Sequence, residues 1–169
     1  MRGTHLIIFR FPDINVSPLW SGYNLNSNTF FLIPDILGEW YYTVLTGVAA
    51  DSNGNVYTIY DSDLGISRIV KFSSDGISHR QWGSPGWRDG QFSNPHQIAV
   101  DSDGNVYVAD TSNHRIQKFT SEGTYITQWG SYGEEDGQFQ FPEGIAVDSS
   151  GNVYVSDTGN DRIQKFKKV

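Results

Sequence analysis

Short apolar runs alternate with clusters of Gly, Asp, Asn and Ser along most of the chain. Residues 97–101 form one such run, built on Ile98, Ala99 and Val100, and the turn Ser102-Asp103-Gly104 follows it. Over 105–109 the pattern has period two: Val106 and Val108 share one face and Tyr107 takes the other, which predicts a half-buried strand. Residues 115–119 predict a third strand. Its Ile116 and Phe119 are three positions apart, so a twist or bulge is expected there. A fourth strand is predicted over 125–129, and a Gly-rich loop then runs to Pro142. No stretch of useful length has a 3.6-residue period, so helices should be almost absent.

The four-strand unit repeats. Ile98-Ala99-Val100-Asp101-Ser102-Asp103-Gly104-Asn105-Val106-Tyr107 returns 47 residues later, from Ile145 to Tyr154, and a looser copy starts 50 residues earlier at Val48. Arg115-Ile116-Gln117-Lys118-Phe119 recurs at Arg162 and, at the same spacing of 47, as Arg68-Ile69-Val70-Lys71-Phe72. The offsets of 50 and 47 reconcile if the first copy holds three extra residues between Asp61 and Ser67. Trp82-Gly83 with Trp129-Gly130, and Asp89-Gly90-Gln91-Phe92 with Asp136-Gly137-Gln138-Phe139, keep the same register. A four-stranded sheet repeated in tandem every 40–50 residues or so fits the blades of a β-propeller, in which each sheet buries its faces against its neighbours.

The stretch Pro-x-x-Ile-Ala-Val-Asp-x-x-Gly-Asn-Val-Tyr-Val-x-Asp-Thr-x-Asn-x-Arg-Ile-Gln-Lys-Phe resembles the NHL repeat. Residues 95–119 and 142–166 carry it closely and 47–72 more loosely. The resemblance implies an all-β propeller of four-stranded blades, a ring commonly of six, but no single activity. The division expected is a divergent N-terminal segment at 1–46, which includes a worn partial blade, and then blades at 47–94, 95–141 and 142–169, the last lacking its fourth strand. This is an incomplete ring of about three blades, fewer than propellers use to close. Phe30 to Ile33 is expected to be a lone fourth strand, the piece the last blade lacks. Two arrangements answer the shortfall: a homodimer forming a six-bladed ring, or a fragment of a longer propeller, the reading preferred from sequence. An open three-blade stack is a third.

Composition narrows the function. Hydrophobic residues make up 37% and charged residues 18%, which suits a soluble globular chain. The net charge of −7 opposes a nucleic-acid partner, because phosphate binding needs a clustered basic surface. Zero cysteines remove disulfides and thiol chemistry. No apolar run approaches the ~20 residues of a membrane span. The run Leu6-Ile7-Ile8-Phe9 falls short of a secretory signal core of roughly 7–15 residues. A cytoplasmic location is the default expectation.

Positions that differ while the framework repeats are the candidates for contact. Two residues before each inner strand's Val or Ile stand Thr46, His96 and Glu143, which the resemblance places at the rim of a central channel. Similar propellers that act as lyases place histidines at such positions, so His96 is the one candidate for a metal. His5, His79 and His114 should not converge on it, and no cofactor is expected. Trp87 breaks the repeat, since its counterpart is Glu134, and is a candidate contact residue. Asp61, Asp110 and Asp157 are expected to pair with Arg68, Arg115 and Arg162 as structural ion pairs at the blade corners, since a residue present in every blade serves the blade. Asp101-Ser102-Asp103-Gly104-Asn105 opens like a calcium loop but lacks its closing Glu, and turn chemistry explains it. Thr111-Ser112-Asn113 and Thr158-Gly159-Asn160 read as turns only. The function expected is therefore a non-catalytic binding or scaffold module for a protein or peptide. The alternative is a metal-dependent lyase or hydrolase resembling peptidyl-amidating lyases, with its site near His96, and RNA binding ranks last.

Overall fold

A computed structural model describes residues 30–34, 40–62 and 67–168. Among them there is no α-helix, and the chain folds into successive antiparallel sheets. The first sheet contains β1 (Phe30–Pro34), β2 (Trp40–Ala50), β3 (Val56–Ser62), β4 (Ser67–Phe72) and β5 (Ser78–Trp82). A parallel pair of two-residue strands, β6 (Ser84–Pro85) and β7 (Gln91–Phe92), leads to the second sheet. That sheet holds β8 (Pro95–Val100), β9 (Val106–Asp110), β10 (Arg115–Phe119) and β11 (Tyr125–Trp129). The third holds β12 (Pro142–Val147), β13 (Val153–Asp157) and β14 (Arg162–Phe166). The inner strands β2, β8 and β12 lie side by side, so the sheets are consecutive blades of an incomplete β-propeller.

The local sequence explains the strand order. Each inner hairpin turns through the same Asx device: the Asp101 N–H bonds the Asn105 carbonyl at 3.0 Å, and Gly104, at φ 83°, takes the left-handed conformation. Asp101 Oδ1 accepts the N–H groups of Asp103 and Asn105, and Oδ2 accepts Asn105 Nδ2 and Tyr107 Oη. The same bonds recur on Asp51 and Asp148. These carboxylates are occupied by the turn. The irregularity expected near Phe119 is a register shift between Lys118 and Phe119 against β11.

Packing then locks blade to blade. One buried cluster joins Tyr57, Ile59 and Ile69 of the first sheet to Ile98, Val106, Val108 and Phe119 of the second. Another joins Ala99, Tyr107, Ala109 and Ile116 to Ile145, Val153 and Val155 of the third. Alternate residues of each strand thus serve opposite faces. Phe92 and Phe139, both 0% exposed, plug these clusters from the loops that lead into the second and third blades.

The N-terminal expectation requires correction. β1 is not a fourth strand set aside for the last blade; it pairs antiparallel with β2, Phe30 opposite Val44 and Pro34 opposite Trp40. The reason is length: β2 has 11 residues where β8 and β12 have 6, and its additional first half offers β1 an edge. Among the described residues the third sheet has three strands.

Candidate functional site

Thr46, His96 and Glu143 occupy one equivalent position. His96 and Glu143 stand near the start of β8 and β12 and Thr46 midway along β2, each where the ladder to the next strand shifts register, between Thr46 and Val48, Pro95 and Ile98, and Pro142 and Gly144. His96 is exposed, and Thr46 and Glu143 are half-buried. Neighbouring rims are stitched together: Thr46 Oγ1 donates to the Pro95 carbonyl at 3.3 Å, and the Ile145 N–H donates to Gln97 Oε1 at 3.3 Å. Among the described residues no three His, Asp or Glu side chains gather in a way that could hold a metal. His5 lies outside the described residues.

The corners carry more than ion pairs. Arg115 Nε meets Asp110 Oδ2 at 2.7 Å and Arg162 Nε meets Asp157 Oδ2 at 2.8 Å, with both carboxylates 0% exposed. Asp110 also accepts the Ser93 N–H, Asn113 Nδ2 and Gln117 Nε2. Asp157 accepts the Gln140 N–H, Asn160 Nδ2 and Gln164 Nε2 in the same way. Burial pushes the Asp157 carboxyl upward, but the bonds from Asn160, Gln140, Arg162 and Gln164 outweigh it and hold it below its ordinary value. Asn113 and Asn160 are therefore not turn residues only; each also donates to the carbonyl of Gly86 or Gly133 in the preceding loop.

The Asp61–Arg68 pair does not form. The register sets Tyr60 opposite Arg68 and Asp61 opposite Ser67, whereas Asp110 faces Arg115. Tyr60 is thus the counterpart of Asp110, as the 50-residue offset requires, and Asp61 falls within the three-residue insertion. Arg68 instead lies over the Tyr60 ring at 5.6 Å and donates to Gln81, while Asp61 accepts Ser67 Oγ at 2.8 Å.

At the end of the sheets where these corners and the blade-to-blade loops lie, the second and third blades expose aromatic side chains. Trp87 is 74% exposed, Tyr132 64% and Phe141 49%. His114 joins two of them, with ring centroids 5.0 Å from Tyr132 and 4.8 Å from Phe141. The Phe141 N–H donates to His114 Nδ1 at 3.1 Å. Phe141 sits at φ 50°, a left-handed conformation that a bulky residue rarely takes and that stores strain. Trp87 follows Gly86, whose carbonyl is held by Asn113, the residue before His114. Of this group the sequence singled out Trp87 alone. The same criterion, departure from the repeat, marks the rest: the counterparts of His114, Tyr132 and Phe141 are Asp161, Pro85 and Asn94. An open depression lined by Glu134, Gly159, Asn160, Asp161 and Arg162 lies on this face.

Corner hub, Asx hairpin and blade stacking define a repeat propeller, and the repeat itself is the NHL repeat, whose model matches residues 92–119 and 139–166. Among solved structures, a luciferin-regenerating enzyme aligns with a TM-score of 0.52 at 17% identity, covering 75% of this chain and 43% of its own. A streptogramin B lyase aligns with a TM-score of 0.49 at 17% identity over 80% of this chain and 53% of its own. A protein of unknown function from Bacteroides caccae aligns with a TM-score of 0.49 at 14% identity over 82% and 56%. Only the first exceeds a TM-score of 0.5, and at that identity it shows the fold alone. The chain spans about half the length of these proteins. No curated protein sequence matches it.

Proposed function

We propose that this chain is a non-catalytic binding module that takes a protein or peptide partner on its loop face. The observation that supports this reading is the exposure of Tyr132 and Phe141 around His114, with exposed Trp87 beside Gly86, which Asn113 holds. Large aromatic side chains supply binding area at small entropic cost, and exposed ones gathered on one face of a monomer commonly mark an interface. The strained Phe141 adds to it, since backbone strain collects at functional positions. In this reading Thr46, His96 and Glu143 contact the same partner.

The test is a peptide-display selection on the full chain, followed by affinity measurement against Trp87→Ala and Tyr132→Ala. Enriched peptides should bind each variant about tenfold more weakly or worse. No enrichment, or equal affinity for the variants, would overturn the reading.

A further inference from the structure

Two loops carry the exposed aromatic side chains, and the same bonds fix both. Asn113 Nδ2 and Arg115 Nη2 donate to the carbonyls of Gly86 and Arg88, and Asn160 Nδ2 and Arg162 Nη2 donate to those of Gly133 and Glu135. The Gly90 and Gly137 N–H groups donate to Gln117 and Gln164. A Cβ on Gly83 would lie 3.4 Å from Arg68 Cα, and one on Gly130 would lie 3.0 Å from the His114 carbonyl oxygen, so each loop is also seated on the blade before it. Each loop tip is thus pinned from both flanking blades, and presenting it to a partner costs little ordering entropy.

The two tips differ in charge. Where the first has Trp87-Arg88-Asp89, the second has Glu134-Glu135-Asp136, and all six residues are exposed. From Gly130 to Phe141 there is no Lys or Arg to offset the three carboxylates. The side chains of Glu135 and Asp136 bond nothing among the described residues, and Glu134 accepts only Gln140 Nε2, at 3.3 Å. Arg162 lines the same depression as Glu134, but it is committed to Asp157 and to the carbonyls of Glu135 and Gln138. Tyr132 stands two residues before this acidic tip and is 64% exposed. An exposed aromatic ring beside uncompensated carboxylates suits a cation, which the ring attracts through its quadrupole and the carboxylates through charge-assisted hydrogen bonds.

We infer that the partner taken on this face is a basic peptide segment. Its Arg or Lys lies over Tyr132 and pairs with Glu134 and Glu135, and a large apolar residue packs on Trp87. The inference rests on the binding-face reading above and adds the partner's charge. Arg88, the one cation of the two tips, lies beside Trp87, so the basic side chain is directed to the second tip. An acidic segment would set like charge against that tip, and so would a second copy of this chain, whose net charge is −7.

The test selects a displayed library of random peptides on the full chain and reads the charge of what is enriched. Selected sequences should be dominated by Arg and Lys beside a large apolar residue. A fluorescent peptide of the most enriched sequence, titrated by anisotropy, should bind the double variant Glu134→Gln, Glu135→Gln about fivefold more weakly. It should bind Tyr132→Ala about tenfold more weakly. Both glutamates are exposed, so the double variant keeps the fold, and added salt should weaken the unaltered chain more than this variant. Neutral or acidic selected sequences that still require Trp87 and Tyr132 would overturn the inference and leave the binding-face reading standing. Equal affinity for the double variant would do the same. No enrichment would overturn both. A solution mass of twice 18.9 kDa that Tyr132→Ala returns to one would overturn the inference as well, since a second copy would then hold the face.

Discussion

Asp110 holds Arg115 with 2.7 Å between Oδ2 and Nε, and the same guanidinium reaches the carbonyls of Arg88 and Gln91 with its Nη2. One buried charge pair thus fastens the corner of its own sheet to the loop arriving from the previous one.

Asp110→Ala should cost about 3–5 kcal/mol, because it leaves the Arg115 guanidinium, 7% exposed, without its counter-charge. It also strips a partner from Ser93, Asn113 and Gln117. Asp61→Ala, which loses one hydroxyl bond from Ser67, should cost about 1 kcal/mol or less. Urea unfolding of the two variants separates these values, and equal costs would contradict the register described.

Stability should fall in acid through the Asx turns. Hydrogen bonds from the Asn152 side chain and backbone hold Asp148 at about 2. Burial pushes Asp101 upward, but its bonds from Asn105 and Tyr107 prevail and leave it below its ordinary value. A carboxyl depressed in the folded state contributes stability above its unfolded value of 3.8, and that contribution is lost as pH falls through the folded value. The Tm should therefore begin to drop below about pH 4 and continue to drop toward pH 2. Asp148→Asn should shallow that drop in circular-dichroism melts; an unchanged profile would remove this carboxylate from the account.

Gly130→Ala should destabilise by about 2–4 kcal/mol. Its φ is 101°, and a Cβ there would lie 2.5 Å from Cδ2 of the buried Phe139 ring. Gly137→Ala shares a positive φ but meets nothing within 4 Å, so it should cost about 1 kcal/mol. Thermal melts that rank the two the other way would refute this reading of the loop.

Ile116→Ala should cost about 2–5 kcal/mol and Ile163→Ala about 0.5 kcal/mol or less, although both stand in the same Arg-Ile-Gln-Lys-Phe block. The difference lies in exposure, 0% against 74%. Denaturant midpoints of the two single variants measure it, and comparable losses would mean that Ile163 is covered in solution.

The repeated framework was legible in the sequence because each blade obeys a period of two and each hairpin is signed by Asp-x-x-Gly-Asn. What escaped is what the repeat does not encode. The destination of β1 depends on how far β2 extends, a length that no motif marks. Asp61 matches Asp110 in residue type, but the register puts Tyr60 in that place, and residue type alone does not reveal register. The second bond of Asn113, to Gly86, and the meeting of His114 with Phe141 link residues 27 apart, in segments that only the tertiary fold brings together.

The corner hub also bears on how such a chain can be cut and rejoined. The backbone groups that serve Asp110 and Arg115, the Ser93 N–H and the carbonyls of Arg88 and Gln91, all lie upstream of Pro95, where β8 begins. The segment that must be inherited together is therefore out of phase with the sheet that folds together. A recombinant joined at the first residue of β8 would keep every strand yet take this hub's loop from a different parent. A crossover placed before Arg88 would carry the hub intact, and chimeras built to that phase should tolerate exchange of whole blades.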